Sequence, residues 1–183
     1  MYRDNSLVPK EAIRLATLGT LARRPQSYTE VASEVRQFAG LVVGPSLDLL
    51  GTSIELLKFE GLISADLNSD ASAESAADPD LVLTDAGQQA LHDYLTARLR
   101  PGGSDVNRLV LSLKLRFLDL LNAEDRADQV EGLRDMYRAE LARLEELRAA
   151  GPCEEGALAN WIEFEIDQVR ARLDWCETLN MGS

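Results

Sequence analysis

The sequence predicts a mainly α chain, in which a three-helix domain carrying a small β-hairpin is followed by an arm of long antiparallel helices. Three observations predict it. Three short stretches with apolar residues at helical spacing stand in tandem before residue 61, and two short β-type runs follow them. A Pro-Gly-Gly stretch at 101–103 then interrupts the pattern. Beyond it, two long apolar stripes of helical period face each other across a Gly151-Pro152 turn.

The first helix is expected over Pro9 to Arg23. Ile13, Leu15, Ala16, Leu18 and Leu21 recur on it, Pro9 suits a first helical turn, and Pro25 stops the run. Ser27 or Thr29 caps a second helix, Glu30 to Phe38, which Gly40 is expected to end. Gly44-Pro45-Ser46 opens a third, closed by Gly61, whose Leu47, Leu50, Ile54 and Leu57 form one inward stripe.

Leu62-Ile63-Ser64 and Leu81-Val82-Leu83 then read as two short strands. The order helix-helix-helix-strand-strand is that of a winged helix-turn-helix with a β-hairpin wing. The segment between the strands is rich in Ala, Ser and Asp and too poor in apolar residues to order itself, so residues 68–77 are expected to be a mobile tip. Thr84 caps a fourth helix running to Leu99. The boundary is placed at the following Pro-Gly-Gly, giving a winged-helix domain over 1–100 and a C-terminal helical domain over 101–183.

In the C-terminal domain, Val106 to Leu121 is strongly apolar and Asn122 breaks it. The next helix, about Glu124 to Ala150, places Val130, Leu133, Tyr137, Leu141 and Leu144 three or four apart. The last, about Glu155 to Leu179, repeats this at Leu158, Ile162, Ile166, Val169, Leu173 and Cys176. Trp161, Phe164 and Trp175 lie roughly 60 to 120° around it from that stripe. Large aromatics outside an already satisfied stripe point to a second copy of the chain, so these three are the expected homodimer interface.

Charge and cysteine content bound the function. At 183 residues the chain is long enough to bury a core without staples, and its two cysteines, Cys153 and Cys176, read as free thiols. No apolar run approaches the roughly 20 residues that span a bilayer, and the first ten residues lack a hydrophobic signal core; the expected place is the cytoplasm, with no membrane partner. The formal net charge of -12 repels polyanions at long range. Its distribution is uneven: residues 1–60 hold seven basic and seven acidic side chains, and residues 61–95 hold seven acidic and no basic ones. Any phosphate-binding surface in the first domain must come from its first 60 residues.

Several segments together resemble the PadR family of transcriptional regulators. Leu7-Val8-Pro9 through Ile13, Leu15, Leu18-Gly19, Leu21 and Pro25 are similar to the family's first helix. Ser27-Tyr28-Thr29-Glu30-Val31-Ala32 resembles the opening of its second, with the tyrosine displaced by one place. Pro45-Ser46, Leu50, Ile54, Leu57 and Glu60-Gly61-Leu62-Ile63 resemble the third helix, and Leu81-Val82-Leu83-Thr84-Asp85-Ala86-Gly87 the strand-to-helix junction. Leu113-Lys114-Leu115-Arg116-Phe117-Leu118 resembles the start of the C-terminal arm. The resemblance implies a homodimer that binds DNA, with Ser46, Thr52, Ser53 and Lys58 reaching bases and Lys10, Arg14, Arg23 and Arg24 on phosphates, Arg36 also being able to approach the backbone. No cofactor and no metal are expected, His92 being the lone histidine.

The chain departs from that pattern where DNA would be read. Glu55 and Leu56 stand where the family has an arginine pair, and Asp48, Leu49 and Phe59 share the outward face of the third helix, with Lys58 its one cation. The wing brings Asp66, Asp70, Glu74, Asp78 and Asp80 and no cation, whereas base edges and phosphates call for donors. A second reading follows, a family member with weakened or lost DNA binding that docks a protein partner through Leu49, Leu56, Phe59 and the acidic wing. Enzymatic chemistry is not indicated. His92 is the lone histidine without metal-ligand spacing, Glu145-Glu146 and Glu154-Glu155 read as solvated helix faces, and there is no phosphate loop or nucleophile elbow.

Overall fold

The computed structural model describes residues 9–44, 50–66, 78–99, 104–150 and 156–179, with the backbone alone described at 9 and 50–53. The chain divides into two units, Met1–Leu121 and Asn122–Ser183.

Helix α1, Pro9–Arg23, is the centre of the first unit. Ala12, Ile13, Leu15, Ala16, Leu18 and Leu21 are buried along it, and so are Thr17 and Thr20. Burial on most sides reflects its position against α2 (Tyr28–Val43), α3 (Leu50–Phe59), α4 (Asp85–Thr96) and α5 (Asp105–Arg116). Thr17 satisfies its hydroxyl on the Ile13 carbonyl at 3.0 Å.

Helix α2 is longer than its sequence suggests. Gly40 does not end it; the helix continues through Val43 and stops at Gly44, whose φ of 84° lies in the region that favours glycine. A helical glycine is tolerated at about 1 kcal/mol, and the last turn recovers that through Val42 and Val43, which pack on the core. The expected start of the third helix around Ser46 lies outside the described residues. From Leu50 onward α3 is helical, with Ile54 and Leu57 fully buried, and Gly61 follows at φ 73°.

The sheet has one strand more than the hairpin. Gln26–Ser27 (β1), Ile63–Ala65 (β2) and Asp80–Leu83 (β3) form an antiparallel sheet in the order β1-β3-β2. Ile63 pairs with Leu83 and Ala65 with Leu81, while Gln26 pairs with Leu81 and Ser27 with Asp80. Two residues carry no periodicity, which is why β1 has no sequence signature. The expectation for 68–77 falls outside the described residues.

The Leu-Thr-Asp-Ala-Gly junction has a steric explanation. The Thr84 hydroxyl caps α4 by accepting from the Gly87 amide at 3.1 Å and donates to the Gly61 carbonyl at 2.7 Å. Gly87 sits so close to the Leu62 carbonyl oxygen that a Cβ there would lie 2.0 Å from it. The start of α4 is thus pressed against the chain leaving α3.

The division between units falls after Leu121. Helix α5, capped by Ser104, contributes Leu109, Val110 and Leu113, and the following turn contributes Phe117 and Leu121, to the same core as α1. A Pro-Gly-Gly stretch in a sequence does not by itself separate domains when the next helix has an apolar face to bury.

In the second unit, α6 (Ala123–Ala149) and α7 (Ala157–Thr178) pack on each other. Asn122, expected as a breaker, is the N-cap of α6, accepting from the Asp125 amide at 2.9 Å. Arg148 pairs with Glu163 and Arg170 with Glu145, and Arg134 donates to the Cys176 carbonyl, so the helices are antiparallel. Val130, Leu133, Tyr137 and Leu144 face Ile162, Ile166, Val169 and Cys176 in a buried seam. Leu158 departs from the expected stripe and is 49% exposed. With Glu163 opposite Arg148, a partner for Leu158 would lie beyond the last residue of α6. Cys176 is a buried free thiol, and Cys153 lies outside the described residues.

Candidate nucleic-acid interface

With Ile54 and Leu57 turned to the core, the outer face of α3 presents Glu55, Lys58 and Phe59, all exposed, with Leu56 half-buried beside them. Phe59 is 89% exposed. Thr52 and Ser53 belong to this helix, but their side chains lie outside the described ones, as do Ser46, Asp48 and Leu49 altogether.

The expected phosphate-binding cations are divided between two situations. Arg14 points inward, forming an ion pair with Glu60 and donating to the Tyr94 hydroxyl at 3.3 Å. It thereby links α1 to the end of α3 and to α4. Arg23 donates to the Arg116 carbonyl at 2.7 Å and to Asp119 at 3.0 Å, with its guanidinium 5.6 Å from the centre of the Phe117 ring. Both arginines serve contacts inside the unit. Lys10, Arg24, Arg36 and Lys58 are exposed. Lys10 and Arg24 lie at opposite ends of α1, roughly 20 Å apart at the helical rise, so the structure does not gather them into one patch.

The N-terminus of α2 is fully engaged. A helix start is a ready anion site, because its first amides lack intrahelical acceptors. Here Ser27 and Glu30 form a reciprocal capping box, with the Ser27 amide donating to the Glu30 carboxylate at 3.0 Å and the Glu30 amide to the Ser27 hydroxyl at 3.4 Å. The two amides between them donate to one carboxylate: Tyr28 to Asp78 Oδ1 at 3.1 Å and Thr29 to Asp78 Oδ2 at 3.2 Å. Bonding from the Thr29 hydroxyl, with lesser bonds from those two amides and the Ser27 hydroxyl, holds the Asp78 carboxyl below its usual range, desolvation opposing them in part.

From the sequence alone Asp78 reads as a repelling wing charge, and Lys114 has no evident role. Lys114 is 5% exposed, and its ammonium donates to the Leu95 and Ala97 carbonyls at the end of α4. Burial pushes it down to about 8. Its position was legible: Lys114 follows Leu113 on a stripe with Leu109, Val110 and Phe117, so the apolar period itself turns it inward. Asp78 had no comparable signal, since its partners are some 50 residues away.

His92 is exposed on α4, at the rim of a cavity of about 360 Å³ lined also by Gln88, Leu21, Leu83, Leu91 and Leu121. Among the described residues no group of three His, Cys, Asp or Glu could hold a metal ion, and no helix is long and apolar enough to cross a membrane. On α7, Trp161, Phe164 and Trp175 are 50%, 58% and 38% exposed, off the seam with α6.

No curated protein matches the chain. Among solved structures, it is similar to Bacillus subtilis PadR in complex with operator DNA at 19% identity, covering 92% of this chain and 96% of that one with a TM-score of 0.37. It is similar to Bacillus subtilis PadR alone at 21%, covering 96% and 97%, with a TM-score of 0.40. It is also similar to smu.1604c of Streptococcus mutans UA159 at 16%, covering 90% and 96%, with a TM-score of 0.37. The model of the family described as "Putative AphA-like transcriptional regulator" matches residues 2–180. With a winged helix-turn-helix fold and a family match over almost its whole length, the chain belongs to the AphA-like transcriptional regulators, a family of regulators and not of enzymes.

Proposed function

We propose that this PadR-like regulator binds DNA as a homodimer in the cytoplasm, reading it through α3 and the sheet and dimerising through α7. The observation that carries the reading is the disposition of α3, which buries Ile54 and Leu57 and turns Glu55, Lys58 and Phe59 outward in a unit that also holds a short antiparallel sheet. Lys10, Arg24 and Lys58 supply phosphate contacts, Ser46, Thr52 and Ser53 supply base contacts, and Arg14 and Arg23 hold the elements that present them. Trp161, Phe164 and Trp175 supply the dimer contact. The unit that ends at Leu121 carries the DNA contacts, and α7 carries the dimer contacts.

The test is fluorescence anisotropy on DNA from upstream of the chain's own gene, across a salt series. Three phosphate contacts per subunit give a dimer slope of about -5 in log affinity against log salt. Glu55→Arg removes a repulsion and adds a contact, so it tightens binding and steepens the slope by about 0.9 per subunit.

A second reading is favoured by one observation, the 89% exposure of Phe59 next to Glu55 on a helix with a single described cation. In that reading the α3 face docks a protein partner. Absence of binding to any duplex, unchanged in Glu55→Arg, would favour it over the first.

A further inference from the structure

The carboxylate of Asp78 stands at the root of the hairpin, two residues before β3 begins at Asp80, and it accepts both amides left open by the capping box of α2. Two residues away, the same strand pairs with the chain that enters α2, through Ser27 with Asp80 and Gln26 with Leu81. The other edge of β3 pairs with β2, which leaves α3 through Gly61 and Leu62. Among the described strands, β3 is therefore the one joined to both helices of the helix-turn-helix. Its attachment to α3 is a ladder of main-chain bonds. Its attachment to α2 is a two-residue strand and one side chain.

We infer that Asp78 is the positioning residue of this reading surface, clamping the hairpin to the start of α2 and so fixing the angle between wing and helix-turn-helix. The inference rests on the DNA-binding reading for its consequence, but the clamp itself does not. A carboxylate with two oxygens directed at two successive amides admits one orientation of the hairpin root against the helix, which a two-residue strand alone does not impose. The same contact explains an acid where a phosphate-binding wing has no use for one. Charge on Asp78 is consumed by the start of α2, where the helix dipole favours it. It is therefore not directed at an approaching polyanion.

The experiment uses the full chain, Asp78→Ala and Asp78→Asn, and Val110→Ala as a variant that weakens the core elsewhere. Amide hydrogen exchange in the absence of DNA is expected to speed up at Tyr28 and Thr29 in Asp78→Ala and to remain at the wild-type rate in Val110→Ala. The ratio of affinity for upstream DNA to affinity for a scrambled duplex of equal length is expected to fall about tenfold in Asp78→Ala, the scale of a lost charge-assisted cap. Asp78→Asn, which keeps one accepting oxygen, falls between. The ratio is expected to hold in Val110→Ala even where its Tm is the lower. Unchanged exchange at Tyr28 and Thr29 overturns the clamp, and an equal loss of ratio in Val110→Ala overturns the positioning role. A wild-type chain that binds neither duplex overturns the DNA reading and the consequence drawn from it, while faster exchange in Asp78→Ala still supports the clamp.

Discussion

Lys114 shows how a single buried charge makes stability depend on pH. Its ammonium is held by two carbonyls at the end of α4, yet burial keeps its pKa at about 8, against 10.5 in the unfolded chain. Between those values the unfolded chain binds a proton that the native one lacks, so this group makes stability rise with pH from about 8 to 10.5 and contributes no slope below. The gain is about 3 kcal/mol at most. Urea unfolding at pH 7.5, 9 and 10 is expected to show wild type gaining on Lys114→Met through that window; parallel curves would refute it. Two glycines make an opposite pair. Gly87→Ala drives a Cβ onto the Leu62 carbonyl and should cost about 1–3 kcal/mol. Gly132→Ala, in an exposed turn of α6 with nothing within 4 Å, should gain about 0.5–1 kcal/mol. Thermal unfolding of the two variants gives both signs, and the same sign in both would contradict the packing at Leu62.

At the scale of elements, α7 has more apolar surface than α6 covers. Ile162, Ile166, Val169 and Cys176 are consumed by the seam, and Trp161, Phe164 and Trp175 remain exposed on another side, joined by Leu158 at the open end. Tryptophan is enriched among the few interface residues whose truncation costs about 2 kcal/mol or more, so Trp175→Ala is expected to weaken a dimer by about thirtyfold. Light scattering through a dilution series measures this; a monomer mass at micromolar concentration, or a dimer indifferent to Trp175→Ala, would exclude α7 as the interface. The stripe itself was legible in the sequence, because a helix repeats its apolar residues locally. The loss of Leu158 from it was not, because where α7 outruns α6 depends on how the two helices are offset.

At the scale of the whole molecule, the core of the first unit extends through α5. Leu109, Val110, Leu113 and Phe117 are nearly fully buried there, each worth about 1.5–3 kcal/mol, which together is comparable with the entire stability of a small domain. A fragment ending at Leu121 is therefore expected to melt cooperatively by circular dichroism, and one ending at Arg100 not to; cooperative melting of the shorter fragment would return the boundary to the Pro-Gly-Gly stretch. By itself the sequence determined the order of the helices and of the two hairpin strands, the apolar stripes and the cap at Thr84, because these rest on interactions within about four residues along the chain. Only the tertiary structure decided what Arg14, Arg23 and Asp78 do. Arg14 meets Glu60 across 46 positions, Asp78 meets Tyr28 across 50 and Arg23 meets Asp119 across 96. Such pairs are selected by which surfaces the packed core brings together, and no local period in the chain encodes that.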